Sequence, residues 1–144
     1  MNLVAGHDET VIAWLAQVFG VHVLQYPRAT LGIVDRNGVL RGAFVITWRN
    51  DTSAELHGFG AISANTVRQM FKAVFGQYGV HRLEVRTPRK NKKIKKAAIK
   101  YGFRFESVAR DDYGPGNDGF VYAMTAPECR FLREVQNGQH VQVT

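Results

Sequence analysis

The sequence predicts a mixed α/β (α+β) fold, in which a mostly antiparallel sheet of about six to seven strands carries helices on both faces. Runs of alternating apolar and polar residues, typical of strands, are interspersed with runs whose apolar residues recur at helical spacing. Their order is helix, three strands, helix, strand, helix, two strands, helix, which predicts helices on both sides of a sheet. The length of 144 residues is typical of a single domain, which we place at residues 1–144.

The first predicted helix begins at Asp8 and is followed by a hairpin. Apolar residues recur at helical spacing after Asp8, and Gly20 marks the end of the helix. Residues 31–48 predict two strands around Asn37-Gly38, a dipeptide typical of short hairpins.

The third predicted strand, over residues 53–61, has two distinct faces. One face carries Ala54, Leu56 and Gly58, and the other carries Glu55, His57 and Phe59. A second helix follows over residues 63–79, and Ser63 is its predicted N-cap because a serine oxygen can accept a backbone N–H in the first turn.

The second half of the chain predicts two more helices and three more strands. The strands cover residues 81–87, 103–110 and 120–125, and the helices cover residues 91–101 and 127–136. In the first of these helices, Asn91 is the predicted N-cap and Gly102 the terminator. Its buried stripe consists of Ile94, Ala97, Ala98 and Tyr101, and we interpret Tyr101 as a packing residue. Pro127 is placed in the first turn of the last helix.

Composition excludes several classes of protein. The chain contains no apolar run of about 18 residues, so no membrane span is predicted. The first ten residues lack a basic start followed by an apolar block, so no signal peptide is predicted. Cys129 is the only cysteine, which rules out an intramolecular disulfide and a cysteine-rich zinc site. We therefore expect a cytoplasmic protein without a metal.

Positive charge is concentrated in one segment. The net charge is +7, and nine of the nineteen cationic residues lie between Arg86 and Arg104 with no acidic residue among them. Such a segment attracts nucleic acid, an acidic protein or a phosphorylated cofactor, or it is simply a solvated surface. Lys92 and Lys93 occupy the first helical turn, where the helix dipole disfavours cations. Either an anion binds there, or solvent ions screen the charges.

The segment over residues 81–110 resembles the second half of the GNAT N-acetyltransferases. In that family a strand is followed by an asparagine, eleven residues later by Gly-Phe, and then by a strand that runs into a glutamate and a small residue. Asn91, Gly102-Phe103 and Glu106-Ser107 fit this spacing. The resemblance extends over roughly residues 31–134, and the end of the chain is similar to short bacterial and phage members.

The resemblance implies acetyl-coenzyme A as the donor and a primary amine as the acceptor. It implies that the fourth and fifth strands of the family splay apart around the pantetheine arm, and that the pyrophosphate binds the start of the following helix. In this sequence that segment carries Ile62, Ser63, Thr66 and Arg68. Further candidate cofactor ligands, the cationic ones for the 3′-phosphate, are Arg89, Asn91, Lys92 and Lys93.

Two motifs depart from the family pattern, the phosphate loop and the position of the proton-donating tyrosine. Ser63, Thr66 and Arg68 replace the Arg/Gln and the small residues of the phosphate loop, so their side chains are the candidate phosphate ligands. Ala98 stands where many members carry a tyrosine that protonates the departing thiolate. Tyr122, Tyr113 or water would then supply that proton.

A general base must take a proton from the acceptor ammonium. Glu55 and His57 share one face of the predicted strand beside the implied slot, and Glu84 is a weaker candidate. Histidine exchanges protons near neutral pH, which suits this role. Each of these residues is otherwise an ordinary surface polar residue.

Two other functions stay open. The departures from the pattern fit a catalytically weak or inactive GNAT-fold protein that binds a protein partner. The basic segment fits nucleic-acid binding, although it lacks interleaved aromatic residues for base stacking. The sequence does not identify the acceptor, and the oligomeric state is open, with a homodimer among the alternatives.

Overall fold

The computed structural model describes residues 1–23 and 28–132. The strands are β1 Asn2–Val4, β2 Arg28–Val34, β3 Leu40–Trp48, β4 Ser53–Gly60, β5 Arg82–Pro88, β6 Arg104–Ala109 and β7 Gly119–Thr125. The α-helices that lie entirely within the described residues are α1 Asp8–Phe19, α2 Ala64–Phe71 and α3 Lys92–Lys100. A π-helical segment, Lys72–Gln77, continues α2, and a 3-10 turn, Ala126–Glu128, follows β7.

The seven strands form one mixed sheet in the order β1-β2-β3-β4-β5-β7-β6. Neighbouring strands are antiparallel except β4 and β5, which are parallel. The predicted mixed and mostly antiparallel sheet is therefore confirmed.

Helices cover both faces of the sheet, as predicted. The larger apolar core includes Val67, Met70 and Phe71 of α2 and Ala98 of α3, and we call the sheet face that it covers the α2–α3 face. A smaller core joins Val11 and Leu15 of α1 to Ala43 and Val45 of β3, and we call this side the α1 face. No helix in the described residues is long and apolar enough to cross a membrane.

The hairpin strands predicted around Asn37-Gly38 are confirmed, and their loop runs from Asp35 to Val39. The carboxylate of Asp35 accepts the N–H groups of Asn37 and Val39 at 2.9 and 3.1 Å. Gly38 has a φ of 78°, a left-handed conformation that glycine adopts without steric cost. The hairpin thus depends on the aspartate as well as on the predicted dipeptide.

Two elements differ from the sequence prediction. The strand β1 was not predicted, because three residues are too few to show a period; it pairs with β2, and its Leu3 N–H donates to Gln69 of α2. The helix predicted to start at Pro127 is wrong at its start. Pro127 lies in the 3-10 turn, and helical residues resume at Arg130. The part of that helix beyond Leu132 lies outside the described residues.

Candidate active site

The parallel strands β4 and β5 separate soon after they begin. They pair over three rungs, from Ser53 opposite Arg82 to Glu55 opposite Glu84. Beyond this last rung, β4 remains paired to β3 and β5 remains paired to β7. The two facing edges therefore present backbone N–H and C=O groups that no strand ladder satisfies. This is the splay that the resemblance predicted.

A narrow apolar cavity, which we call the slot, lies between the splayed strands under α2 and α3. Its volume is about 100 Å³, whereas ligand sites commonly enclose ~300–1,000 Å³. Its wall consists of Phe44, Leu56, Gly58, Ile62, Val67, Met70, Val85, Ile94, Ala97, Ala98, Tyr101 and Phe103. Ile62 narrows the slot, because a Cβ atom on Gly58 would lie 2.5 Å from the Ile62 Cδ1 atom.

The start of α2 lies at the open end of the splay, because α2 follows the carboxyl end of β4. Ser63 is its N-cap, as predicted, and forms a capping box with Thr66. Ser63 Oγ accepts the Thr66 N–H at 3.3 Å, and the Thr66 hydroxyl donates to the Ser63 carbonyl at 3.0 Å. Thr66 is fully buried. The prediction of Thr66 as a phosphate ligand is therefore wrong for its side chain, which caps the helix.

Arg68 does not point to the start of α2. Its guanidinium carbon lies 5.5 Å from the centre of the Phe131 ring, next to the chain segment that follows β7. The remaining candidates at this end of α2 are the exposed Ile62 and Ser63 and the first backbone N–H groups, which lack partners within the helix.

The helix α3 begins at the carboxyl end of β5, across the splay from α2. The Asn91 side chain accepts the Ile94 N–H at 3.2 Å, so Asn91 is the predicted N-cap. Ala97 and Tyr101 line the slot, and Tyr101, interpreted from the sequence as packing, is only partly buried. Lys93 lies one turn before Ala97 and therefore on the slot flank of α3.

The other predicted cationic ligands lie on the opposite flank of α3. Arg89 and Lys92 border a second cavity of about 370 Å³ beside the β6–β7 loop, together with Lys95. The Lys95 ammonium lies 4.7 Å from the centre of the Phe120 ring and donates to the Arg89 carbonyl at 3.0 Å. Arg89 and Lys92 therefore border the second cavity and not the slot, whereas Lys93 lies on the Ala97 side of α3.

The α1 face carries the candidate bases. Glu55 and His57 project from β4, and their Oε1 and Nε2 atoms are 3.3 Å apart. A cavity of about 320 Å³ adjoins His57, and we call it the α1-side cavity. It is lined by Val21, His22, Val23, Val45, Thr47, His57 and Phe59. The two predicted bases therefore lie together beside the last paired rung, with an open cavity next to them.

Glu84, the weaker candidate base, forms ion pairs with three arginines. Its side chain is 3% exposed and contacts Arg49 at 3.1 Å, Arg82 at 3.3 Å and Arg86 at 2.6 Å. The hydrogen bond to Glu84 is the main cause that raises the pKa of Arg86. Because three guanidinium groups already bind its carboxylate, Glu84 fits a structural role better than that of a general base.

Tyr122 does not reach the bases. It is 3% exposed in the core of the α2–α3 face and packs against Phe105, with the ring centres 5.7 Å apart. Burial raises its pKa. Tyr122 therefore lies on the opposite sheet face from Glu55 and His57, beside the slot residue Val85, and its role as a proton donor stays a prediction.

Tyr113, which the sequence did not distinguish from Tyr122, lies on the α1 face. A Cβ atom on Gly119 would come 3.1 Å from its ring. The neighbouring Asp112 contacts Arg86 at 3.5 Å, which ties the loop to β5. Burial, followed by the charges of Asp112 and Glu55, raises the pKa of Tyr113. No local sequence signal predicts that Tyr113 packs over the α1 face, because Tyr113 lies in a loop.

The fold is that of the GNAT acetyltransferases. A variant of the spermidine N-acetyltransferase SpeG from Vibrio cholerae superposes with a TM-score of 0.68 at 13% identity, over 94% of this chain and 99% of that one. A second variant of the same protein gives 0.65 at 15% identity, over 85% and 77%. A GNAT-family acetyltransferase from Bacillus anthracis gives 0.60 at 17% identity, over 69% and 67%. No protein-family model and no curated protein matches the sequence.

Proposed function

We propose that this chain is an N-acetyltransferase, which moves an acetyl group from acetyl-coenzyme A to a primary amine by direct attack. The observation that supports this most is the splay of β4 and β5 beyond the rung of Glu55 and Glu84. It combines free strand edges, two helix N-termini and a pair of candidate bases at one place in a GNAT fold.

The residues around the slot fit the donor. The amide-rich arm of the donor can hydrogen bond to the free edges of β4 and β5. The N–H groups of Ala64 and Asn65, which follow Ile62 and Ser63, suit a pyrophosphate because they lie outside the capping box and at the positive end of the helix dipole. Lys93 lies on the slot flank of α3 and suits a further phosphate. Ile62 has to turn away from Gly58, which an exposed side chain can do by a change of rotamer.

The donor supplies an activated acetyl group: the amine nitrogen bonds to the thioester carbon, the carbon–sulfur bond breaks, and the sulfur leaves with the electron pair. Of the two protons that the ammonium nitrogen loses, one passes to Glu55 and His57 and on to solvent, and the other ends on the sulfur. Tyr113 is the tyrosine placed on the α1 face to deliver that second proton, and water is the alternative.

Release of free thiol during turnover tests this proposal. Cys129 is the only cysteine and is fully buried, so the protein itself contributes little background to a thiol assay. We expect acetyl-coenzyme A and an amine to give thiol together, and neither to do so alone. Spermidine, the substrate named for two of the structural neighbours, belongs in the first panel of amines.

Glu55→Gln tests the base. We expect kcat to fall by about 10²-fold or more, the usual contribution of a general base, while the affinity for acetyl-coenzyme A stays the same. Glu106→Gln is the matched control, because Glu106 is an exposed carboxylate paired with Arg82 away from the slot. Unchanged turnover in Glu55→Gln would contradict the assignment of Glu55.

Recognition of a protein or nucleic acid is the alternative function. It rests on the departures from the family pattern at Ser63, Thr66, Arg68 and Ala98 and on the exposed lysines of α3.

A further inference from the structure

We infer that the acceptor is a monoamine with an apolar carbon skeleton and not a polyamine. This rests on the proposed function and extends it to the substrate class. The inference comes from the polarity of the α1-side cavity and from the pairing of the carboxylates around it.

The α1-side cavity changes from polar to apolar along β4. The ladder pairs Glu55 with Thr47, His57 with Val45, and Phe59 with Ala43. Residues that pair across a ladder have their side chains on the same face. The polar end therefore lies at Glu55 and the apolar end at Phe59.

The lining favours a single ammonium group at the polar end. Val21, Val23, Val45 and Phe59 supply most of the wall, and the described lining contains no carboxylate. An ammonium beside Glu55 and His57 would leave its carbon skeleton against these apolar side chains, where burial of its methylene groups is favourable.

A second ammonium group would find no free carboxylate among the described residues near this cavity. Among the described residues near the rung of Glu55, the other carboxylates are already paired: Glu84 with three arginines, Asp112 with Arg86, and Glu106 with Arg82, whereas Glu55 has a longer contact of 3.7 Å to Arg49. At the apolar end, the second charge would lose its hydration without compensation. On the other side of Glu55, the second ammonium group would approach Arg49 and Arg86, which are also positively charged.

Hexylamine and 1,6-diaminohexane test this directly, because they differ only by the second amine. With acetyl-coenzyme A saturating, we expect kcat/KM for hexylamine to be about tenfold higher or more, which corresponds to ~1.4 kcal/mol. Equal or better use of the diamine would overturn the inference while leaving the acetyltransferase function intact. Acetyl-coenzyme A binding without acetylation of either amine would also overturn it. No acetyl-coenzyme A binding at all would overturn the proposed function itself.

Two variants test whether the preference for the monoamine arises in the α1-side cavity. His22→Asp adds a carboxylate at an exposed position of the cavity wall, and we expect it to shift the preference toward the diamine. Val45→Thr places a hydroxyl in the wall and should lower kcat/KM for hexylamine more than for ethylamine. Val39→Thr, in the exposed hairpin loop, is the matched control and should change neither ratio. The same preference in His22→Asp and the unmodified protein would count against this cavity as the acceptor site.

Discussion

Two cationic regions of the molecule differ in whether their charges are paired. On the α1 face, Arg49, Arg82 and Arg86 converge on Glu84. On α3, the lysines have no carboxylate within 4.0 Å among residues 1–23 and 28–132. In the sequence, the lysines of α3 form a dense run, whereas Arg82 and Arg86 flank Glu84 and Arg49 lies far from it.

The difference teaches that clustering along the chain and pairing in space are separate properties. Arg82 and Arg86 meet Glu84 because the three residues alternate along one face of β5, and Arg49, which follows β3, reaches the same carboxylate and so ties β5 to the end of β3. The lysines project from a single helix and leave their charges available to an anion or to solvent. The first group is therefore expected to control stability, and the second to control binding.

The largest expected effect comes from Glu84→Gln. Three guanidinium groups would lose their shared countercharge at a buried position, and we expect the free energy of unfolding to fall by about 2–3 kcal/mol. This is less than the ~3–5 kcal/mol for a fully buried pair, because the arginines are partly exposed. Urea unfolding measures it. A loss no larger than that of a surface substitution would show that the network does not tie β5 to the end of β3.

Lowering the pH should reduce the stability that the paired carboxylates contribute to the folded state. The Arg82 hydrogen bond is the main cause that lowers the pKa of Glu106, and hydrogen bonds from Thr125 lower that of Glu128. A carboxylate whose pKa is lower in the folded state than in the unfolded state stabilises the protein at a pH above its unfolded-state pKa of ~4.3. This contribution is lost as the pH falls through the folded-state pKa.

Glu128→Gln checks the direction of this effect. We expect the variant to be less stable than the unmodified protein at pH 7, and the difference to shrink as the pH is lowered below about 4. Urea unfolding at a series of pH values measures it. A difference that stays constant with pH would refute the role of the ionised carboxylate.

The smallest expected effects concern the unpaired lysines. Lys93→Ala should weaken acetyl-coenzyme A binding by about two- to fivefold, as for an exposed charge pair, and the effect should diminish with salt. Lys92→Ala removes the same charge from the opposite flank of α3 and should change binding less. Both should leave stability unchanged or slightly higher, because a cation is lost from the first turn of the helix. Equal effects on binding would remove the distinction between the two flanks.

Local signals in the sequence predicted much of the fold. The caps at Ser63 and Asn91 and the alternation of β4 depend on neighbouring residues, so they are visible in the chain. The burial of Thr66 was not visible, because it depends on how α2 packs.

Contacts between distant residues account for the rest. The contact of Arg49 with Glu84 and that of Arg86 with Asp112, next to Tyr113, join residues far apart in sequence, which no local pattern reports. The resemblance to a family predicted the splay of β4 and β5. The separation of Arg89 and Lys92 from the slot is visible only in the structure.

Calorimetric titration of acetyl-coenzyme A into Gly58→Val tests the central claim most directly. A valine here would place methyl groups in the slot, where Ile62 already lies over the glycine. Gly76→Ala is the control, because a Cβ atom there meets nothing within 4 Å. We predict micromolar binding by the unmodified protein and the control, and no detectable binding by Gly58→Val despite a folded far-UV spectrum. Equal binding by all three proteins would contradict the assignment of the slot between β4 and β5 as the donor site.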